Sequence, residues 1–279
     1  EESASEATAA AMLSASVMFP VRGAVTWKST VGTNVASDAL SNLASGGVLG
    51  GALIIVGEDY GEGSSIMQER THAFAMKSQI WLFDPRPNLP SIVAGAKKAF
   101  ELSEASSTPV IFQMRVRSCH LHGEFITAEN QKPKMTMQDC LNNPKRDLNR
   151  IVLPPASFVH EKEKEEKRLP AAIKFIKEEK INEFFKSSQN SEKVGIIVQG
   201  GLYNNLNRAL LLNDLSDNFG ETKIDTYVLN ITYPLINDEI VEFCKTKEHV
   251  LIIEEGQPNY IEQNISLILA KNDIRTKMY

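Results

Sequence analysis

Apolar and polar positions along this chain follow two repeating patterns. Short apolar runs bounded by turn residues predict buried strands, and stretches with apolar positions every three or four residues predict the helices between them. An Ala-rich helical stretch over 3–18 leads to a strand over 23–28, a helix beginning near Thr33, and the strand 52–57 (ALIIVG). A Gly-punctuated acidic loop opens into a helix bearing Arg70, followed by a strand over 80–83, a helix over 91–105 and a strand over 110–115. Residues 123–153 turn polar and aperiodic, with Pro133 and Pro144 inside and Pro154-Pro155 just beyond, as a linker or surface arm would. The charged run 161–168 (EKEKEEKR) predicts a solvated face on a helix reaching about Phe185. Alternation then resumes, with strands over 194–198, 226–229 and 250–253 and helices over 204–215, 238–246 and 260–270.

Strands separated by helices predict parallel sheets covered on both faces. The expected class is therefore α/β, with two open parallel-sheet domains over 1–122 and 168–279 and a linker or arm over 123–167. The length of 279 residues suffices for two such domains. A net charge of −5 argues against a nucleic-acid footprint, which would need clustered Lys and Arg. No apolar window is long enough to span a membrane. Three scattered cysteines, Cys119, Cys140 and Cys244, show no C-x-x-C spacing, so no zinc or iron–sulfur site is expected in this chain. Free thiols fit a reducing cytoplasm. The chain starts at Glu1 and ends just after a helix, which fits a piece of a longer polypeptide.

Candidate chemistry concentrates at the carboxyl ends of the first strands, where open α/β sheets bind ligands. After the strand 52–57, Gly61 and Gly63 allow a tight turn and Ser64 and Ser65 can cap the next helix. Arg70 would then lie on that helix's second turn, with a planar fork suited to a carboxylate or phosphate. A solvated loop with a surface Arg fits the same pattern. Glu6 lies among alanines in SEATAAA (5–11), either as a first-turn acid favouring the helix dipole or as a buried carboxylate suited to proton exchange with a ring nitrogen. The turn 29–34 (STVGTN) could present backbone groups to a ligand, or be a generic strand-to-helix turn. Gly200-Gly201 lacks the spacing of the phosphate-binding fingerprints and reads as a tight turn without a ligand. His72, His120 and His122 lack a nearby carboxylate pair and argue weakly for a metal. Neither a Gly-Asp-Gly…Asn motif nor a G-x-S-x-G elbow is present.

Together SEATAAA (5–11), the turn Thr30-Val31-Gly32 and IMQERTHAFAM (66–76) resemble the thiamine diphosphate-dependent 2-oxoacid:ferredoxin oxidoreductases, in particular alpha subunits of the indolepyruvate type. VGTNVASD (31–38), GGVLGGALIIV (46–56) and ELSEASSTPV (101–110) agree, as do GIIVQGGLYN (195–204), Tyr233-Pro234-Leu235 and VLIIEEGQP (250–258). The resemblance covers nearly the whole chain outside the arm. It implies a thiamin-diphosphate-binding fold (the pyrimidine domain) followed by a transketolase C-terminal-like domain. It further implies decarboxylation of a 2-oxoacid, an aryl pyruvate such as indolepyruvate, to an acyl-CoA with electrons passed to ferredoxin. Glu6 falls where the family places the Glu that contacts the cofactor's aminopyrimidine, and Gly32 lines the same pocket. Arg70 falls where related pyruvate enzymes grip the substrate carboxylate, with Thr30 beside it.

The resemblance also implies what this chain lacks. Mg²⁺ and [4Fe-4S] clusters are expected in absent segments, and the partners are a diphosphate-binding domain, a second subunit, ferredoxin and coenzyme A. The chain alone should be inactive. Glu58-Asp59-Tyr60-Gly61 and Met67-Gln68-Glu69 depart from the family's Asp-Asp-Pro-Gly turn and acidic, Gln-rich run, which places the chain in a divergent branch and leaves the substrate side chain open. Two other readings stand beside this one: the beta subunit of a 2-oxoacid dehydrogenase E1 component, and a non-catalytic thiamine-fold assembly module.

Overall fold

A computed structural model of the chain describes residues 1–59, 70–130, 132, 135–144, 147–187 and 193–279. The first part runs α1 (Glu6–Leu13), α2 (Ala15–Met18), β1 (Gly23–Lys28), α3 (Val31–Val35), α4 (Ser37–Gly46), β2 (Ala52–Glu58), α5 (Thr71–Ser78), β3 (Trp81–Phe83), α6 (Leu89–Ser106), β4 (Val110–Arg115) and α7 (Val116–Cys119). Next comes α8 (Met137–Asn142), and then α9 (Ala156–Glu163) runs through one π-helical turn (Lys164–Arg168) into α10 (Leu169–Glu178). The remainder runs β5 (Glu183–Phe185), β6 (Val194–Gln199), α11 (Tyr203–Leu212), β7 (Asp225–Leu229), β8 (Ile231–Tyr233), α12 (Asn237–Cys244), β9 (His249–Ile253), α13 (Tyr260–Lys271) and β10 (Lys277–Met278).

Among the described residues these strands form two five-stranded sheets, in the orders β1-β2-β4-β3-β8 and β10-β9-β6-β7-β5. Each is parallel except at one edge, where β8 lies antiparallel to β3 and β5 antiparallel to β7. The α/β class holds, with that amendment to the all-parallel expectation. Alternation along β2 explains the layering. Ile54 and Val56 face a core with Leu13, Leu40, Leu43 and Phe74, whereas Leu53 faces one with Phe112, Leu102 and Ile176. Helices therefore cover both faces of the first sheet.

Three local expectations change. The helix predicted to reach Phe185 ends at Glu178, and residues 183–185 form β5 instead. Phe184 stacks on Tyr227 of β7 at 4.3 Å between ring centres, so its aromatic packing outweighs the helical pattern upstream. The run 161–168 is not wholly solvated, because Lys164 and Arg168 are buried. Arg168 donates to the carbonyls of Ala44 (2.9 Å) and Ser45 (3.1 Å), satisfying the carboxyl end of α4, and pairs with Glu163. The third change is that residues 225–233 run from the second sheet directly into the first. Buried Asn230 stands at the crossing: its carbonyl accepts from the Asp84 amide at 2.7 Å, and its side chain donates to the Ile181 carbonyl. Among the described residues no helix is long and apolar enough to cross a membrane.

Candidate functional site

The site is built around the carboxyl ends of β1 and β2. Past β1 the chain turns at Ser29 and Thr30 into α3, whose first turn holds Gly32. A side chain at Gly32 is sterically blocked: a Cβ there would lie 2.5 Å from Trp27 Cδ1 and 3.0 Å from Glu6 Cγ. Glycine thus lets α3 close onto both β1 and α1, which brings Glu6 against the turn. The Trp27 indole donates to Thr33 Oγ1 at 3.2 Å and fixes α3 from the other side.

Glu6 occupies the first turn of α1, behind the N-cap Ser5, whose hydroxyl accepts from the Thr8 amide. It is half-buried rather than buried as the sharper sequence reading required, because the helix start lies at the rim of the fold. Its carboxylate has no hydrogen bond or ion pair to another described residue and lines a cleft of about 860 Å³ along β1.

Arg70 does not lie on the second turn of a helix. It is the N-cap of α5, in extended backbone (φ −91°, ψ 133°), and the helix begins at Thr71. The proposed turn glycines Gly61 and Gly63 and caps Ser64 and Ser65 lie outside the described residues. Helix α5 is anchored instead by Glu58, the last residue of β2, whose Oε1 accepts from the Thr71 amide at 2.9 Å. The Thr71 hydroxyl in turn meets the Ser29 hydroxyl at 2.6 Å. One hydrogen-bonded chain, Ser29–Thr71–Glu58, thus ties the carboxyl ends of β1 and β2 to the residue that follows Arg70. Burial pushes the Glu58 carboxyl up to about 7, against the lowering pull of the Thr71 amide and Arg115.

The Arg70 side chain is 1% exposed. Its Nη1 donates to Glu254 Oε1 and to the Pro258 carbonyl, each at 2.5 Å, and its guanidinium carbon lies 5.4 Å from the Tyr260 ring centre. Nε and Nη2, the edge that binds a carboxylate in bidentate fashion, have no partner among the described residues. Neighbouring His72 is held neutral: burial, reinforced by Arg70, lowers its pKa to about 3. A second cleft of about 530 Å³ is lined by Thr30, Thr33, Asn34, Arg70, Phe74 and Tyr260, among others.

The four residues singled out from the sequence are therefore brought together in pairs. Glu6 and Gly32 meet on one side of α3, while Thr30 and Arg70 share the cleft on the other. Sequence reasoning missed Glu254, Pro258 and Tyr260, which reach this cleft from the far end of the chain. The doubled acid Glu254-Glu255 after a buried strand was the available signal. Its partner Glu255 pairs with Arg115, which also binds buried Asp84. Gly200 and Gly201 close the same junction, since a Cβ on Gly200 would overlap the Asp84 carbonyl oxygen and one on Gly201 the Arg115 side chain.

No protein-family model matches the chain. Curated proteins do. The chain is 27% identical over 263 residues to the indolepyruvate oxidoreductase subunit IorA of Pyrococcus horikoshii, covering 92% of this chain and 38% of that protein. It is 30% identical over 243 residues to IorA of Thermococcus kodakarensis, covering 86% and 36%. The chain thus spans less than two fifths of the length of these relatives. Among solved structures, the 2-oxoglutarate:ferredoxin oxidoreductase of Magnetococcus marinus, with 2-oxoglutarate, coenzyme A and succinyl-CoA bound, shares the fold. It aligns over 100% of this chain and 53% of its own at a TM-score of 0.66 and 15% identity.

Proposed function

From a chain that resembles IorA subunits along most of its length, we propose one section of a thiamine diphosphate-dependent 2-oxoacid:ferredoxin oxidoreductase. Residues 1–122, completed by α10 and β8 from later in the chain, serve as its pyrimidine-binding domain, and the rest of 168–279 as its transketolase C-terminal-like domain, joined by 123–167. The substrate is a 2-oxoacid of the aryl-pyruvate type, converted to an acyl-CoA with electrons leaving to ferredoxin. Mg²⁺, the diphosphate-binding domain and the iron–sulfur clusters belong to other segments or subunits.

One observation carries the reading: an arginine beside a cleft that Thr30 also lines, whose Nε and Nη2 donors are closed to solvent and unpartnered among the described residues. A buried cation keeps such an edge unpaired only at a cost, and a substrate carboxylate would satisfy it. The residues around Glu6 also suit the cofactor. Its carboxylate has no described partner and opens on a cleft, and Gly32 leaves no room for a side chain between it and the turn. When bound, thiamine diphosphate supplies the nucleophilic carbon that cleaves a 2-oxoacid next to its carbonyl. Glu6 would hold a proton at an aminopyrimidine nitrogen, Gly32 would shape the pocket, and Arg70 with Thr30 would orient the carboxylate that leaves.

Viologen reduction by the assembled enzyme, with pyruvate, 2-oxoglutarate and aryl pyruvates, tests this directly. Glu6→Gln should lower kcat by about a hundredfold or more, as for other acid–base groups. Arg70→Ala should raise KM about a hundredfold, from two lost charge-assisted hydrogen bonds. No reduction with any 2-oxoacid, or full activity in Glu6→Gln, would overturn the assignment.

A further inference from the structure

The contact that fixes Arg70 comes from the other sheet. Glu254 follows β9, is 5% exposed at its side chain, and accepts from the amides of Ile261 (2.9 and 3.1 Å) and Glu262 (3.1 Å) at the start of α13. The same carboxylate accepts from Arg70 Nη1, and Pro258, in the loop between β9 and α13, supplies a second acceptor to that nitrogen. Tyr260 closes the arrangement, its ring facing both the guanidinium and His72. Every described partner of the guanidinium therefore lies between residues 254 and 260, and its hydrogen bonds all use one nitrogen.

Two consequences follow. Held at Nη1 by two acceptors, the planar guanidinium cannot rotate freely, so its Nε/Nη2 edge keeps one direction. The negative charge of Glu254 is also shared with the first turn of α13, whose amides and dipole stabilise it. Two donors of Arg70 stay unpaired at its remaining edge, where one carboxylate could accept from both. Glu254 takes one end of the fork and leaves the other.

We propose that Glu254 is a positioning residue for substrate recognition: from the second sheet, it holds Arg70 by Nη1 and leaves the buried Nε/Nη2 edge unpaired, as the pair of donors that the carboxylate of a 2-oxoacid takes up on binding. This rests on the reading of Arg70 as the carboxylate-binding residue. Glu254 itself need not touch substrate.

The test is a double-mutant cycle in the assembled enzyme, reading KM and kcat separately with an aryl pyruvate. Glu254→Ala should raise KM about tenfold while kcat changes less than about threefold. Added to Arg70→Ala, it should raise KM by no more than about twofold further, because its effect is exerted through the guanidinium. Glu254→Gln, which can keep one acceptor on Nη1, should fall between wild type and alanine, and it carries the test if the alanine variant does not fold. An unchanged or lowered KM in Glu254→Ala, or full effects that multiply in the double variant, would overturn the proposal. If Arg70→Ala itself leaves KM unchanged, the reading of Arg70 fails first, and the two failures are told apart.

Discussion

Glu58→Gln isolates the ionisation of a buried carboxyl without removing its hydrogen bond. Glu58 ends the inner strand β2, accepts from the Thr71 amide through Oε1, and has no partner for Oε2 among the described residues. Burial raises its pKa from 4.5 to about 7. Between those values the unfolded chain has released the proton while the folded chain keeps it. Stability is therefore fully present below about 4.5 and is lost as pH rises through about 7. At about 1.4 kcal/mol per pH unit, the loss amounts to about 3 kcal/mol. Glutamine stays neutral throughout and still offers an oxygen to Thr71. Urea unfolding of both proteins at pH 4.5 and pH 8 should show the variant gaining on wild type by about 3 kcal/mol between the two. A difference between the proteins that is the same at both pH values would refute the reasoning.

Three further outcomes are expected. Gly200→Ala should destabilise the chain by about 3 kcal/mol or more in thermal or urea unfolding, because its Cβ would overlap the Asp84 carbonyl, a backbone atom that cannot move aside. Arg168→Met should cost about 3 kcal/mol by the same measurement, since it strips donors from the Ala44 and Ser45 carbonyls and leaves Glu163 unpaired. Gly32→Ala should weaken thiamine diphosphate binding by the assembled enzyme, measured by titration calorimetry, because the new methyl displaces Trp27 or Glu6; unchanged affinity would remove Gly32 from the pocket.

Much of the fold was legible because the inner strands β2, β4 and β6 are buried on both faces and read as short apolar runs, while the edge strand β1 is bounded by turn residues. The predicted β1 and β4 match the observed Gly23–Lys28 and Val110–Arg115, and β2 extends by one residue to Glu58. The strand β8, three residues long between Asn230 and Pro234, gave no periodic signal of its own. It exists because β3 offers it an edge. The same limit applies to the site. Glu6, Thr30, Gly32 and Arg70 stood out within local motifs, but Glu254 acts across 184 residues of sequence through a single hydrogen bond. Only the tertiary fold brings those two side chains together. Arg168 was misread for a related reason, as a charge in a charged run looks solvated until the carbonyls at the end of another helix are set beside it.

The passage of β8 into the first sheet bears on the order in which the chain can be made. Strand β3, with Trp81, Leu82 and Phe83 all buried, would have a bare edge until residues 231–233 emerge from the ribosome. For more than a hundred residues of synthesis that apolar edge has no partner and is open to another nascent chain. A truncated product ending after α7 should accordingly aggregate, although it contains four of the five strands of its sheet. The two sheets are coupled in folding because the last strand of one is reached only through the other.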